Sequence, residues 1–141
     1  KVKTIHAAVT THNGKIDFFA FTKTNCGLSS IHEDQVKRVA SANPHMDFKK
    51  VQVPAVTINR IWKNENKPKV DFLCIDTEGH DLQILESTNL QEINPSLVSV
   101  ETNKIINNKA TKPNIIKLLT ENSYRLHKDF GNESLWARKY D

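Results

Sequence analysis

Two segments that end in acidic residues carry the chemical signal of this sequence. The apolar run 70–75 is followed by Asp76 and then by Glu78, and a second run, 96–100, ends at Glu101. Continuous apolar runs of this length are typical of buried parallel strands. Ligands of open parallel sheets bind outside the carboxyl ends of the strands, and neighbouring strands lie ~5 Å apart. We therefore expect three carboxylates to share one edge of a sheet.

Carboxylates this close need an offsetting positive charge. A cationic substrate group, or an Mg²⁺ or Ca²⁺ ion held by oxygen ligands, would supply it. The structural alternatives are that Asp76 caps the following helix, that Glu78 complements its dipole, and that Glu101 is a solvated strand end. His80 lies at the same edge, where it either contacts a substrate or is merely exposed. The residues alone leave these alternatives open.

The composition indicates one soluble globular domain over residues 1–141, with 38% hydrophobic and 26% charged residues. No apolar run approaches the ~18 residues of a membrane-spanning helix, which argues against a membrane protein. Two cysteines exclude a disulfide scaffold, and Cys74, inside an apolar run, is predicted to be buried. This cysteine usage favours a reducing, cytoplasmic location.

The net charge of +4 is unevenly spread. Residues 1–70 hold 12 Lys and Arg against 5 Asp and Glu, whereas residues 71–141 hold 8 against 11. The basic half invites a nucleic-acid interpretation. Its lysines are scattered singly and no aromatic residues alternate with them, so we expect no nucleic-acid partner.

Several catalytic and nucleotide-binding motifs are excluded by spacing. The sequence has neither a G-x-x-x-x-G-K-[ST] loop nor a G-x-G-x-x-G turn, and no G-x-S-x-G elbow. His32 and Glu33 begin an H-E-x-x-H pattern, but Val36 stands where the second histidine would be.

The first half of the chain shows a hairpin signal. Asn13-Gly14 between the apolar stretches 4–10 and 16–21 predicts two antiparallel strands joined by a tight turn. Residues 22–43 show a weak helical pattern and are compatible with a mobile loop. Pro54 within the strand 51–56 predicts a place at a sheet edge or end.

The second half alternates strands and helices. We predict a short helix over 57–62, strands over 70–76 and 96–101, and helices over 80–87 and 113–121. Two antiparallel strands, 124–130 and 134–140, close the chain. The predicted fold class is α/β, with a mostly parallel sheet and a C-terminal antiparallel hairpin.

The central block resembles a known family. Residues 70–81, Val-Asp-Phe-Leu-Cys-Ile-Asp-Thr-Glu-Gly-His-Asp, resemble the D-x-L-K-I-D-x-E-G-x-E signature of FkbM-type methyltransferases. Ala8-Val9 followed by Asn13-Gly14, the loop 27–31 and the segments 53–61 and 96–101 are similar to other parts of that family. The resemblance implies a Rossmann-like class I fold. It also implies methyl transfer from S-adenosylmethionine, typically to an oxygen, so the expected partner is a small-molecule or glycan hydroxyl acceptor.

The resemblance also implies roles for individual residues. Asp76 would lie nearest the methyl donor and Glu78 would orient the acceptor or act as base, so both are candidate catalytic residues. Ala8 would line the adenine edge and, with Asp76, bind the cofactor. Glu101 and His80 would contact the acceptor.

The sequence departs from the family at two aligned positions and at its start. Cys74 stands where the family commonly has Lys, and Asn59 where it commonly has Asp. The family's glycine-rich turn and ribose-binding acid would precede Lys1, so we expect the N-terminal strands to be missing, the chain to be the distal part of the domain, and donor binding to be incomplete. The alternative is a non-catalytic, degenerate α/β module that self-associates through an exposed sheet edge.

Overall fold

The computed structural model describes residues 2–22, 26–102, 105–106 and 109–139 and shows a mixed α/β protein. The strands are β1 (Ala8–Val9), β2 (Gly14–Phe21), β3 (Phe48–Val56), β4 (Phe72–Ile75), β5 (Leu97–Glu101), β6 (Ile105–Ile106), β7 (Lys109–Ala110), β8 (Tyr124–Asp129) and β9 (Glu133–Arg138). The helices are α1 (Glu33–Ala42), α2 (Ile58–Asn64), α3 (Asp81–Ser87), α4 (Leu90–Ile93) and α5 (Lys112–Glu121), with a 3-10 turn at Cys26–Leu28. No helix in these ranges has the length and hydrophobicity needed to cross a bilayer.

The smaller sheet has the order β1-β3-β2, so the predicted hairpin between the first two strands is wrong. β3 pairs antiparallel with β2 along all eight residues of β2, from Gly14 opposite Ala55 to Phe21 opposite Phe48. β1 pairs with β3 in parallel, through two residues only. β2 pairs with β3 and not with β1 because β3 offers eight residues for hydrogen bonding, whereas β1 has only two. Gly14 has a φ of 138°, but Asn13 does not have a positive φ, so the backbone conformation that the turn signal predicts for both residues is present only at Gly14.

β3 is the central strand of this sheet, which corrects the prediction that Pro54 marks an edge. Pro54 lies opposite Lys15 on β2. The partner on the other side, β1, reaches only Ala55 and Val56. Proline, which lacks a backbone N–H, is tolerated here because the pairing of β3 with β1 begins only at Ala55.

The ambiguous segment 22–43 contains a helix of ten residues rather than a loop throughout. Val36 on α1 is fully buried against Phe19 and Phe21 of β2. This apolar face outweighs the polar composition that made the segment resemble a loop, because tertiary packing supplies most of the stability of a short helix. Residues 23–25 lie outside the described residues.

The larger sheet has the order β4-β5-β9-β8 and is mixed, which corrects the prediction of a mostly parallel sheet. β4 and β5 are parallel, whereas β9 is antiparallel to both β5 and β8. The predicted C-terminal hairpin is confirmed. A two-stranded antiparallel ribbon, β6 with β7, is an element that the sequence pattern did not predict.

The main core lies between this sheet and the helices α3, α4 and α5. Its buried members are apolar apart from one tyrosine and one tryptophan: Ile75, Ile84, Leu85, Leu90, Val98, Val100, Ile115, Leu119, Tyr124 and Trp136. The Tyr124 hydroxyl donates to the Pro95 carbonyl at 2.8 Å, which satisfies the one polar group of that buried ring. The predicted helices are confirmed, with Thr57 capping α2 and a proline in the first turn of α5.

Cys74 is exposed, so the prediction that it is buried is wrong. Its strand, β4, is the end strand of the larger sheet, and Phe72 on the same strand is 54% exposed. The apolar run predicts a strand buried on both faces, but only the face that carries Leu73 and Ile75 is covered, and Phe72 and Cys74 share the opposite, exposed face.

Candidate active site

The predicted meeting of the strand ends is confirmed. Ile75 of β4 pairs with Val100 of β5, so Asp76 and Glu101 follow side by side at the same edge of the sheet. Asp76, Glu101 and Asp81 each present a carboxylate oxygen, and the three oxygens lie within 4.8 Å of one another. Two parallel strands in register are sufficient to bring acids 25 positions apart into one cluster.

The loop after β4 is held by an acid that the sequence analysis did not single out. The buried Asp81 carboxylate accepts hydrogen bonds from the backbone N–H groups of Thr77, at 3.0 Å, and Gly79, at 3.2 Å. Glu78 and Gly79 have φ values of 53° and 102°, so the loop is a left-handed turn for which glycine is well suited. Since α3 begins at Asp81, the proposal that Asp76 caps this helix is wrong.

Carboxylates line a cavity of about 180 Å³ at this edge. Its walls are Asp76, Glu78, Glu101, Asn132 and Glu133. Glu133 lies directly opposite Glu101 in the antiparallel pairing of β5 with β9, and Ser99 donates to it at 2.5 Å. Glu133 could not be identified from the sequence, because its position depends on the pairing of two strand residues that lie 32 positions apart in the chain. The clustered charges make this acidic cavity attractive to positive groups.

A second cavity, of about 200 Å³, adjoins the first and is mostly apolar. Residues of both sheets line it: Ala8, Val9, Phe18, Gly27, Ser29, Ile31, Asp76, Thr77, Glu78 and His80. Asp76 and Glu78 belong to the walls of both cavities. All five predicted site residues therefore line this pair of cavities, with Ala8 and His80 in the apolar one and Glu101 in the acidic one.

His80 is buried, at 9% exposure, so the alternative that it is merely exposed is wrong. Its Nε2 lies 3.3 Å from the Thr10 hydroxyl at the end of β1. Burial, together with the smaller effects of the neighbouring His32 and His12, lowers the pKa of His80 from 6.5 to about 4. The imidazole is therefore neutral at pH 7.

Polar residues of α1 and the segment before it hold the loop from the other side. Ser30 donates to the Glu78 carbonyl at 3.0 Å, and Gln35 donates to the Glu78 carboxylate at 3.4 Å. The His32 ring lies 5.2 Å from the His80 ring, centre to centre, and burial lowers the pKa of His32. No sequence motif links these residues to the loop, because more than 40 positions separate them in the chain.

Acids at the carboxyl ends of two parallel strands, next to an apolar cavity, form a candidate ligand-binding or catalytic site, because ligands of open α/β sheets bind outside this edge. Residues 1–126 match the family model of the methyltransferase FkbM domain, and the chain belongs to that family. The domain is thus a methyltransferase domain. No curated protein and no solved structure matches the chain significantly.

Proposed function

We propose that this protein transfers the methyl group of S-adenosylmethionine to a hydroxyl group of a small molecule or glycan. The observation that carries the proposal is the position of Asp76 and Glu78, which line both the apolar and the acidic cavity. A reacting methyl group must pass between a donor site and an acceptor site. Two carboxylates at the junction of two cavities are placed to act on both partners.

The residues present fit the charged end of the donor. When bound, S-adenosylmethionine supplies an electrophilic methyl group on a positively charged sulfonium. Asp76 places a negative charge beside that group, while Ala8 and Phe18 offer apolar surface in the same cavity. This combination of apolar wall and nearby carboxylate suits a cation that carries a flat apolar ring system.

Methyl transfer to a hydroxyl forms a carbon–oxygen bond and breaks the carbon–sulfur bond, whose electron pair stays on sulfur. The hydroxyl must also lose its proton. Glu78 is the proposed acceptor of that proton, and Glu101 is the proposed contact to the acceptor molecule from the acidic cavity. His80, neutral and bonded to Thr10, lines the apolar cavity together with Glu78 and is the second proposed contact to the acceptor molecule, at the place where the two cavities meet.

The apolar cavity, at about 200 Å³, is smaller than the roughly 300 Å³ at which small-molecule sites begin. We therefore propose that these residues enclose only part of the donor.

Donor binding tests this proposal through charge. S-adenosylmethionine and S-adenosylhomocysteine differ by one methyl group and one positive charge, so calorimetric titration of both reports the effect of the carboxylate. We expect the chain to bind S-adenosylmethionine more tightly, and Asp76→Asn to reduce that preference by roughly fivefold, the worth of one exposed charge pair. Asp71→Asn, an exposed acid at the other end of β4, is the matched control. Equal affinity for the two ligands in the unchanged protein contradicts the role of Asp76, and absence of binding contradicts donor use by this chain.

A second function, protein association without catalysis, is favoured by the exposed edge of β4. Phe72 and Cys74 expose apolar side chains on this strand. One hydrogen-bonding edge of β4 has no partner strand among the described residues. Such an edge pairs readily with another strand, here that of a second copy. We expect concentration-dependent dimers in sedimentation equilibrium, weakened by Phe72→Lys and unchanged by Leu126→Lys at the opposite edge. A monomer at every concentration rules this function out.

A further inference from the structure

Unsatisfied polar atoms surround the loop that follows β4. Among the described residues, His32 Nε2, Gln35 Oε1, Thr77 Oγ1 and His80 Nδ1 are buried and have no hydrogen-bond partner. Gln35 and His80 are more than nine-tenths buried as whole residues. Buried polar groups of native proteins almost always have a partner, and an orphaned one commonly marks a water or an ion. Four such atoms around one loop indicate a ligand at this place.

Each imidazole uses one nitrogen within the protein and leaves the other unused. His80 contacts the Thr10 hydroxyl through Nε2, so its Nδ1 is the unused atom. His32 has a hydrogen bond to the Gly79 backbone, and its Nε2 is the unused atom. A hydrogen bond from one ring nitrogen is the usual way in which proteins orient a metal-binding histidine.

The spacing of the rings fits a shared ion. Their centres lie 5.2 Å apart and their planes are tilted by 57°. A tetrahedral ion bound about 2.0–2.1 Å from one nitrogen of each ring holds the ring centres roughly 5 Å apart. Gln35, whose Nε2 donates to the Glu78 carboxylate, contributes a further buried oxygen without a partner, Oε1, beside the same loop.

We infer that His32 Nε2 and His80 Nδ1 form a binding site for a divalent transition-metal ion of the zinc class, with water completing the coordination. Imidazole nitrogen selects such ions over Mg²⁺ and Ca²⁺. The site uses atoms different from those of the carboxylate cluster and does not depend on the proposed methyl transfer. By bridging the start of α1 and the start of α3, the ion ties the smaller sheet region to the loop that carries Asp76 and Glu78.

Titration of the chelator-treated full chain with Zn²⁺ and Co²⁺ tests this inference. We expect one Zn²⁺ per chain by calorimetry and a visible Co²⁺ absorption typical of nitrogen ligands. His32→Gln and His80→Gln should each weaken the affinity at least tenfold, the usual effect of disturbing a metal ligand or its support. His45→Gln and His127→Gln remove exposed imidazoles and should leave it within about twofold.

The outcome separates this site from its competitors. Circular dichroism of each variant shows whether the fold is kept. His32→Gln changes a half-buried residue, so it tests the site even when the substitution of the buried His80 prevents folding. Loss of binding in both site variants supports the inference. Absence of Zn²⁺ binding in the unchanged protein, retention of affinity in His32→Gln, or a loss caused by Asp76→Asn that matches the loss in the histidine variants overturns it.

Discussion

The two sheet regions of this protein differ in how well they are packed. Among the residues that the structure describes, the core of the larger sheet has ten buried members, whereas that of the smaller sheet has three, Phe19, Phe21 and Val36, surrounded by half-buried neighbours. The acids at the strand ends, Asp76 and Glu101, come from the well-packed region. Most of the apolar cavity wall comes from the other. A rigid part thus positions the charges, and a less densely packed part shapes the space beside them.

The largest expected effect is on stability, and it contrasts leucines of the two regions. Leu119→Ala, at a fully buried position of the larger core, should lower the free energy of unfolding by about 2–5 kcal/mol. Leu28→Ala, at a half-buried position of the smaller core, should cost less than half as much. Urea unfolding monitored by circular dichroism measures both.

A third leucine shows whether the cost of a Leu→Ala substitution depends on the burial of the residue or on the core to which it belongs. Leu118 is half-buried but packs on the larger core, so Leu118→Ala should resemble Leu28→Ala if burial alone decides the cost. Equal losses for Leu119→Ala and Leu28→Ala would show that the two regions are equally packed.

The next effect concerns the loop between the two regions. Asp81→Asn replaces an oxygen that accepts a backbone hydrogen bond with an NH₂ group, which leaves either the Thr77 or the Gly79 N–H unpaired. We expect a loss of about 1–3 kcal/mol and faster hydrogen exchange at both amides. Asp34→Asn, at an exposed position, is the matched control. Unchanged exchange at Thr77 and Gly79 would show that Asp81 does not hold the loop.

The smallest expected effect is the pH dependence of the free energy of unfolding that arises from His80. Its pKa in the folded protein is about 4, below the unfolded value of 6.5, so the unfolded state binds the proton first as pH falls. The stability contributed by the neutral ring is complete above pH 6.5 and is lost between pH 6.5 and 4. This amounts to about 0.7 kcal/mol between pH 7 and pH 6.

Unfolding in chelator-containing buffer at pH 7 and pH 6 measures this loss. His80→Gln should remove most of the difference between the two pH values, whereas His127→Gln, at an exposed position, should leave it in place. A pH dependence that persists in His80→Gln would assign it to another group.

The second half of the chain was predictable because its patterns are local. The apolar runs before Asp76 and Glu101 gave the strands, and the spacing of Leu82 and Leu85 gave the helix that follows. Parallel pairing in register then placed the acids together. The roles of these acids in catalysis stay predictions, as does the single-domain organisation.

The first half was harder to predict because its pairing is not local. The Asn13-Gly14 signal was present, but β3, more than 30 residues later, took the place beside β2 that the hairpin assigned to β1. The burial of Cys74 failed for a related reason. Its apolar run specifies a strand, but whether both faces of that strand are covered depends on elements elsewhere in the chain.

The sequence by itself determined the elements of the second half and the edge at which Asp76, Glu78 and Glu101 meet. These features follow from the order of apolar and polar residues within short segments of the chain. Only the tertiary structure decided that Glu133 joins the acids, that Asp81 holds the loop and that His32 lies against His80. Those contacts join residues that no periodicity relates, and they arise when packing brings separate elements together.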